Sequence, residues 1–191
     1  MIGGSHVVYT SGKHGSAYVN KDAVYPSTVR VAELCRFLAD AAAPYRPEIV
    51  CGPAMGGIIL AQWTGHHLGL PAVYAEKTAD GGMALRRGYD ELVAGKRVLV
   101  VEDILNTGGS IRETIAAVRT AGGDVVVAAA LVNRGAVTAA QVGAPALVAL
   151  LDVALDAWDA SACPLCRDGV PVNTEVGKGR EFLAGRARSS S

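Results

Sequence analysis

Two adjacent acids, Glu102 and Asp103, are followed after Ile104 and Leu105 by Asn106, Thr107, Gly108, Gly109 and Ser110. Carboxylates accept hydrogen bonds from sugar-type hydroxyls and take up hard cations. A turn of small residues at the start of a helix does the complementary work: its backbone N–H groups, with the Thr107 and Ser110 hydroxyls, cradle a phosphate. Acids repel a bare phosphate, so the two halves together suit a ligand with both hydroxyls and a phosphate, namely a ribose 5-phosphate. The competing reading is an ordinary strand–turn–helix in which the serine only caps. A second turn, Gly52-Pro53-Ala54-Met55-Gly56-Gly57, has the same small-residue character. Alone it reads equally well as a structural βα turn, but two such turns at matching places favour the phosphate reading. Neither Gly-x-x-x-x-Gly-Lys nor Gly-x-Gly-x-x-Gly occurs to compete with it.

The elements that must hold these residues follow from apolar patterning. Short apolar runs at 49–51, 72–74, 98–101, 125–132 and 146–151 read as strands covered on both faces. Between them, 27–43 and 57–68 carry helical patterns, and Ile111, Ile115 and Val118 share one helical face that Gly122-Gly123 can end. The alternation predicts an α/β fold with a mainly parallel sheet. In such sheets ligands sit at the carboxyl ends of the strands, where Glu102 and Asp103 fall. One domain is expected over 1–191, with an N-terminal segment 1–25, an α/β core 26–155 and an irregular C-terminal appendage 156–191. Residues 186–191 are expected to be disordered.

The segment Val100 to Ser110 resembles the phosphoribosyl pyrophosphate signature of type I phosphoribosyltransferases. The resemblance implies that fold, with a small hood built from the two termini. It assigns Glu102 and Asp103 to the ribose hydroxyls, Asn106, Thr107, Gly108, Gly109 and Ser110 to the 5-phosphate, and Ala54, Met55, Gly56 and Gly57 to the pyrophosphate. Further segments resemble the orotate branch of the family. Residues 11–18, Ser-Gly-Lys-His-Gly-Ser-Ala-Tyr, look like a hood segment, although Thr10 stands where a lysine commonly precedes Ser-Gly. Arg134, after Leu131-Val132-Asn133, stands where the family sets an arginine against the orotate carboxylate; by position alone it reads equally as a solvated strand-end charge. Residues 77–87 occupy the flexible catalytic loop, with Lys77, Arg86 and Arg87 as candidates for the pyrophosphate charge; their bland reading is an exposed basic hairpin.

The resemblance implies transfer of a phosphoribosyl group to orotate, Mg2+ bound through the substrate and possibly Glu102 and Asp103, and a homodimer whose 77–87 loop completes the neighbour's site. The alternatives are the same chemistry on another base or aromatic carboxylate, and a non-catalytic sensor of phosphoribosyl pyrophosphate.

Composition bounds the partners. Half of the residues are apolar, and 18 Lys plus Arg balance 18 Asp plus Glu, so no global charge draws nucleic acid or an anionic membrane. No apolar run is long enough to span a bilayer and no secretory signal is visible, so the expected compartment is the cytoplasm. Cys35 and Cys51 lie in apolar runs, as reduced core thiols do. Cys163-Pro164-Leu165-Cys166 has the spacing of half a zinc site, but no second Cys/His pair stands at motif spacing, so it reads as a structural turn with surface thiols.

Overall fold

The computed structural model describes residues 2–9, 11–21 and 23–189. Met1, Thr10, Asp22, Ser190 and Ser191 lie outside the described residues. In chain order the elements are β1 (Ile2–Val8), β2 (His14–Tyr18), α1 (Thr28–Ala42), β3 (Ile49–Pro53), α2 (Gly56–Leu68), β4 (Ala72–Lys77), β5 (Met83–Leu85), α3 (Tyr89–Val93), β6 (Arg97–Leu105), α4 (Gly109–Thr120), β7 (Asp124–Asn133), α5 (Ala139–Val142), β8 (Leu147–Asp152), α6 (Pro164–Arg167) and α7 (Gly179–Ser189), with short 3-10 turns at Ala43–Tyr45 and Ala160–Ala162. The chain divides into two compact units, Val24–Val153 and a second made of Met1–Ala23 with Ala154–Ser191.

The larger unit is a six-stranded sheet in the order β5-β4-β3-β6-β7-β8. All pairings among β4, β3, β6, β7 and β8 are parallel, and only the edge strand β5 runs antiparallel. The alternation of β6 explains why its run is apolar throughout. Val98 and Val100 pack with Ile111, Ile115 and Val118 of α4, whereas Leu99 and Val101 pack with Val31, Cys35, Leu38 and Leu60 of α1 and α2. α1 begins at Ser27, whose side chain accepts from Arg30 N, and buries Val31, Cys35, Leu38, Ala39 and Ala42 along one stripe. Cys35 and Cys51 are fully buried, and burial pushes their thiols up to about 11 and about 12.

Residues 77–87, expected in the flexible catalytic loop with an exposed basic hairpin as the bland reading, take hairpin form: β4 and β5 pair with Lys77 opposite Met83 and a turn closed by Thr78 N donating to Gly82 O at 2.9 Å. Two expectations need correction. The stretch after 156 is not irregular. It carries α6 and α7, the latter running to Ser189; near its start Phe182 lays its ring edge-on to His14 at 4.6 Å and Lys178 pairs with Glu181 at 2.8 Å. Finally, the thiols of the Cys-x-x-Cys turn are not on the surface: Cys163 is 3% exposed and Cys166 half-buried.

Within the smaller unit, β1 and β2 form an antiparallel hairpin, with His14 opposite Val8. The hairpin is tied to the C-terminal stretch by a parallel bridge from His6 to Val172 and an antiparallel bridge from His14 to Trp158.

Candidate active site

β6 is the central strand and carries the acids to the carboxyl edge of the sheet. Successive residues of a strand face opposite sides, and Glu102 and Asp103 obey this rule. Both are buried, at 7% and 5% exposure, and each enters a different environment.

Glu102 lines a pocket of about 260 Å³ together with the turn 106–110, Lys77 from the end of β4, and Glu113 one helical turn into α4. Its Oε1 accepts from the Asp103 backbone N at 3.0 Å. The turn leads into α4 through Gly108, which has a φ of 71°. A side chain there would be strained, and its Cβ would also press on Val137 and Val142, so the tight entry into α4 requires glycine. The first N–H groups of α4 have no intrahelical acceptor, which makes this end of the helix a place for anionic oxygen.

Asp103 lies on the α2 side. Its Oδ1 accepts from Ile104 N at 2.7 Å and its Oδ2 from the Tyr25 hydroxyl at 2.9 Å. The same hydroxyl lies 3.3 Å from the Gly56 carbonyl oxygen. A Cβ on Gly56 would overlap Asp103 Oδ2. The glycine of the second turn therefore answers first to the protein's own packing, which lets α2 start directly beside the Asp103 carboxylate. Met55, ahead of it, is 82% exposed, and the Ala54–Met55 peptide is cis.

The sheet edge gathers a further cation. Arg134 follows β7, and its backbone N donates to the Leu105 carbonyl at 2.9 Å, which anchors it next to the end of β6. The loop beyond is braced by Asn133, which donates to the Val137 carbonyl and accepts from Val137 N. The two hairpin arginines differ. Arg87 gives both Nε and Nη2 to Glu76 Oε1, at 2.9 and 2.8 Å, and this pairing raises its pKa further. Arg86 is exposed and in no ion pair among the described residues. Thus Lys77, Glu102 and 106–110 come together around one pocket, Asp103 and Gly56 meet on the opposite face, and Arg87 is already engaged by a carboxylate. Sequence reasoning missed Tyr25 and Glu113. Glu113 could have been found, because it lies three residues after Ser110 on the same helical face.

A buried acid pair at the carboxyl edge of a parallel sheet runs here into a glycine turn and a helix N-terminus, an arrangement suited to a ribose phosphate. The phosphoribosyl transferase domain model matches residues 22–143, and the chain belongs to that family. It is 38% identical over 176 residues to an orotate phosphoribosyltransferase of Caldanaerobacter subterraneus subsp. tengcongensis, covering 90% of this chain and 88% of that protein. It is 40% identical over 167 residues to the orotate phosphoribosyltransferase of Acidithiobacillus ferrooxidans, covering 86% and 84%. Among solved structures it resembles Mycobacterium tuberculosis orotate phosphoribosyltransferase in complex with 5-phospho-alpha-D-ribosyl 1-diphosphate, with a TM-score of 0.60, 27% identity, and coverage of 72% of this chain and 81% of that one.

Proposed function

We infer that the protein is a pentosyltransferase that moves the phosphoribosyl group from phosphoribosyl pyrophosphate to orotate, yielding orotidine 5'-phosphate and pyrophosphate in de novo pyrimidine biosynthesis. The observation that carries this reading is the convergence of Glu102, Lys77 and the 106–110 turn on one pocket in a chain closely similar to orotate enzymes.

The roles follow from the chemistry of each group. In the turn, Asn106, Thr107, Gly108, Gly109 and Ser110 bind the 5-phosphate with the N–H groups that open α4. The Glu102 carboxylate in the pocket and the Asp103 carboxylate on the other face of β6 are assigned to the ribose hydroxyls, while Tyr25 and Ile104 N hold Asp103 in place. Ala54, Met55, Gly56 and Gly57 face the pyrophosphate, and Lys77 with Arg86 supplies positive charge as it departs. Displacement breaks the C1–oxygen bond to pyrophosphate and forms the C1–nitrogen bond to the base through an oxocarbenium-like transition state. This needs positioning and charge stabilisation rather than a protein nucleophile.

The pocket residues also fit Mg2+. Their donors are carboxylate, hydroxyl and backbone oxygens with no thiol or imidazole among them, as a hard cation requires. Glu102 and Asp103 would hold it through the substrate, where it offsets pyrophosphate charge. The described helices include none long and apolar enough to cross a membrane. We place the reaction in the cytoplasm and assign a homodimeric state in which the β4–β5 hairpin completes the partner's site.

Arg134 is assigned to the orotate carboxylate, which its planar fork can grip with two charge-assisted hydrogen bonds. Arg134→Ala should therefore raise the KM for orotate and leave donor affinity nearly unchanged. Losing one partner of such a pair costs about 2–5 kcal/mol. Steady-state kinetics with orotate, together with calorimetric titration of phosphoribosyl pyrophosphate on the same variant, checks this. Equal losses for both ligands would reassign Arg134 to the fold or the phosphate sites.

A further inference from the structure

We propose that His6, His14, Cys163 and Cys166 form a closed, four-coordinate structural site for a zinc-class metal ion. Each offers one donor atom, and the four donors lie within 4.8 Å of one another. Three of their separations are those of a coordination shell. His14 Nδ1 is 3.3 Å from Cys166 Sγ, and His6 Nε2 is 3.7 Å from both Cys163 Sγ and Cys166 Sγ. A tetrahedral zinc with Zn–N of about 2.0–2.1 Å and Zn–S of about 2.3 Å holds its donors roughly 3.3–3.8 Å apart. The one short edge is His6 Nε2 to His14 Nδ1 at 2.8 Å. That is the length of a nitrogen–nitrogen hydrogen bond, so the two rings must part by roughly half an ångström to admit the ion.

The second shell selects the ligand atom. His6 Nδ1 lies 2.7 Å from the Val170 carbonyl oxygen, which can only accept, so Nδ1 carries the proton and the Nε2 lone pair faces the cluster. The backbone brings the set together independently of any metal. His14 pairs opposite Val8, two residues beyond His6, which puts both rings on one face of the hairpin. The bridges from His6 to Val172 and from His14 to Trp158 clamp that face to the stretch carrying α6, and Cys163 and Cys166 bracket the first turn of α6.

The chemistry of the donors names the class of ion. Two imidazole nitrogens and two thiolates are borderline-to-soft ligands, suited to Zn2+ and disfavoured by Mg2+. Two thiolates cancel the dipositive charge, so the loaded site is neutral, as its burial demands. The four ligands leave no open position, which marks a structural rather than a catalytic centre. The surrounding unit has reason to need one. Among the described residues, its buried hydrophobic side chains apart from Cys163 are Val7, Val8, Tyr9 and Ala17, a core too small to hold two distant chain segments alone.

The test begins with the full chain, purified without added metal and analysed by inductively coupled plasma mass spectrometry. About one zinc per chain is expected, retained in Cys35→Ser, which alters a core thiol elsewhere, and lost in Cys166→Ser and His14→Ala. Because those variants could fail to fold, the unmodified chain is also stripped with a chelator and titrated with Co2+. A tetrahedral cobalt spectrum with thiolate-to-cobalt charge transfer, saturating at one equivalent and displaced by Zn2+ but not by Mg2+, supports the site. Chelation should also lower the thermal unfolding midpoint, with recovery on adding Zn2+. A chain that purifies without zinc and takes up no Co2+ overturns the proposal, and so does a cobalt spectrum without thiolate charge transfer.

Discussion

The sheet-edge pocket and the His–Cys cluster solve opposite coordination problems. Around the pocket every ionisable donor is a carboxylate or a lysine, and the space stays open, with about 260 Å³ bounded by a turn of glycines and hydroxyls. In the cluster the donors are nitrogen and sulfur, three of the four residues are buried, and the four donor atoms lie within 4.8 Å of one another. An open oxygen-lined edge suits a ligand that must arrive, react and leave. A closed nitrogen–sulfur shell suits an ion that stays. The difference also predicts what each region controls: disturbing the pocket should change turnover with the fold intact, and disturbing the cluster should change stability.

The largest expected effect separates the two directly. Omitting Mg2+ from a preparation that retains its zinc should abolish turnover, followed by the loss of orotate absorbance, while the unfolding temperature stays put. Restoring Mg2+ should restore the rate. Turnover that persists without any added hard cation would break the comparison. Next comes Asp103→Asn, which keeps the shape and the Ile104 N–H contact but removes the charge. Loss of one preorganised electrostatic group costs about 10²–10³ in rate, and a drop of that order in kcat/KM for the donor is expected. An unfolding temperature that falls along with the rate would make Asp103 a structural residue instead.

How well each region could be read from the sequence follows from how local it is. The parallel strands were legible because strands covered on both faces are nearly continuous apolar runs, as in 98–101 and 125–132. β5 was not: Met83, Ala84 and Leu85 give a three-residue edge strand between glycines and arginines, too short for any period to register. The acid pair and its turn lie within nine positions, so one strand–turn–helix signature contains them. Tyr25 stands 78 positions from Asp103, and nothing in its neighbourhood signals that its hydroxyl will reach a carboxylate. The cluster is the extreme case. His6 and Cys166 are 160 positions apart, and only the pairing of a hairpin with the C-terminal stretch makes the Cys-x-x-Cys turn half of a complete set. The cluster has no signature in sequence spacing, because the two histidines come from a hairpin and the two cysteines from a stretch bridged to it far along the chain, so it is written in sheet register.

Tyr25→Phe probes the support of Asp103 at smaller amplitude. The hydroxyl is one of the donors to that carboxylate, and Ile104 N remains after the substitution. A hydrogen bond to a charged group is worth about 1.5–3 kcal/mol when removed outright, and the remaining donor softens the loss. A roughly tenfold decrease in kcat/KM for phosphoribosyl pyrophosphate is expected, with orotate KM nearly constant. A loss as large as that of Asp103→Asn would mean the hydroxyl touches substrate itself; no change would remove Tyr25 from the site.

The smallest effect concerns the hairpin, where two adjacent arginines offer a contrast within a single turn of chain. Arg87 spends its guanidinium on Glu76, in a pair whose arginine side chain is 61% exposed. Exposed pairs are screened by water and salt, so this one anchors the hairpin weakly. Arg86, unpaired among the described residues, keeps its charge available for a phosphate. Arg86→Ala should thus raise the KM for phosphoribosyl pyrophosphate by roughly fivefold, one partly screened phosphate contact, and Arg87→Ala by roughly twofold or less. Stability should invert the order. Arg87 holds a φ of 64°, where any side chain is strained, so Arg87→Ala loses the pair and keeps the strain. Arg87→Gly loses the pair and relieves the strain, and its unfolding temperature should lie roughly 2–4 °C above that of Arg87→Ala, the shift a backbone effect of this kind produces in a chain of this length. Donor kinetics and thermal melts on the three variants decide the matter. If Arg87→Ala harmed donor binding more than Arg86→Ala, the Glu76 pair would have to open during the reaction, and the hairpin would be a moving part of the site rather than its fixed edge.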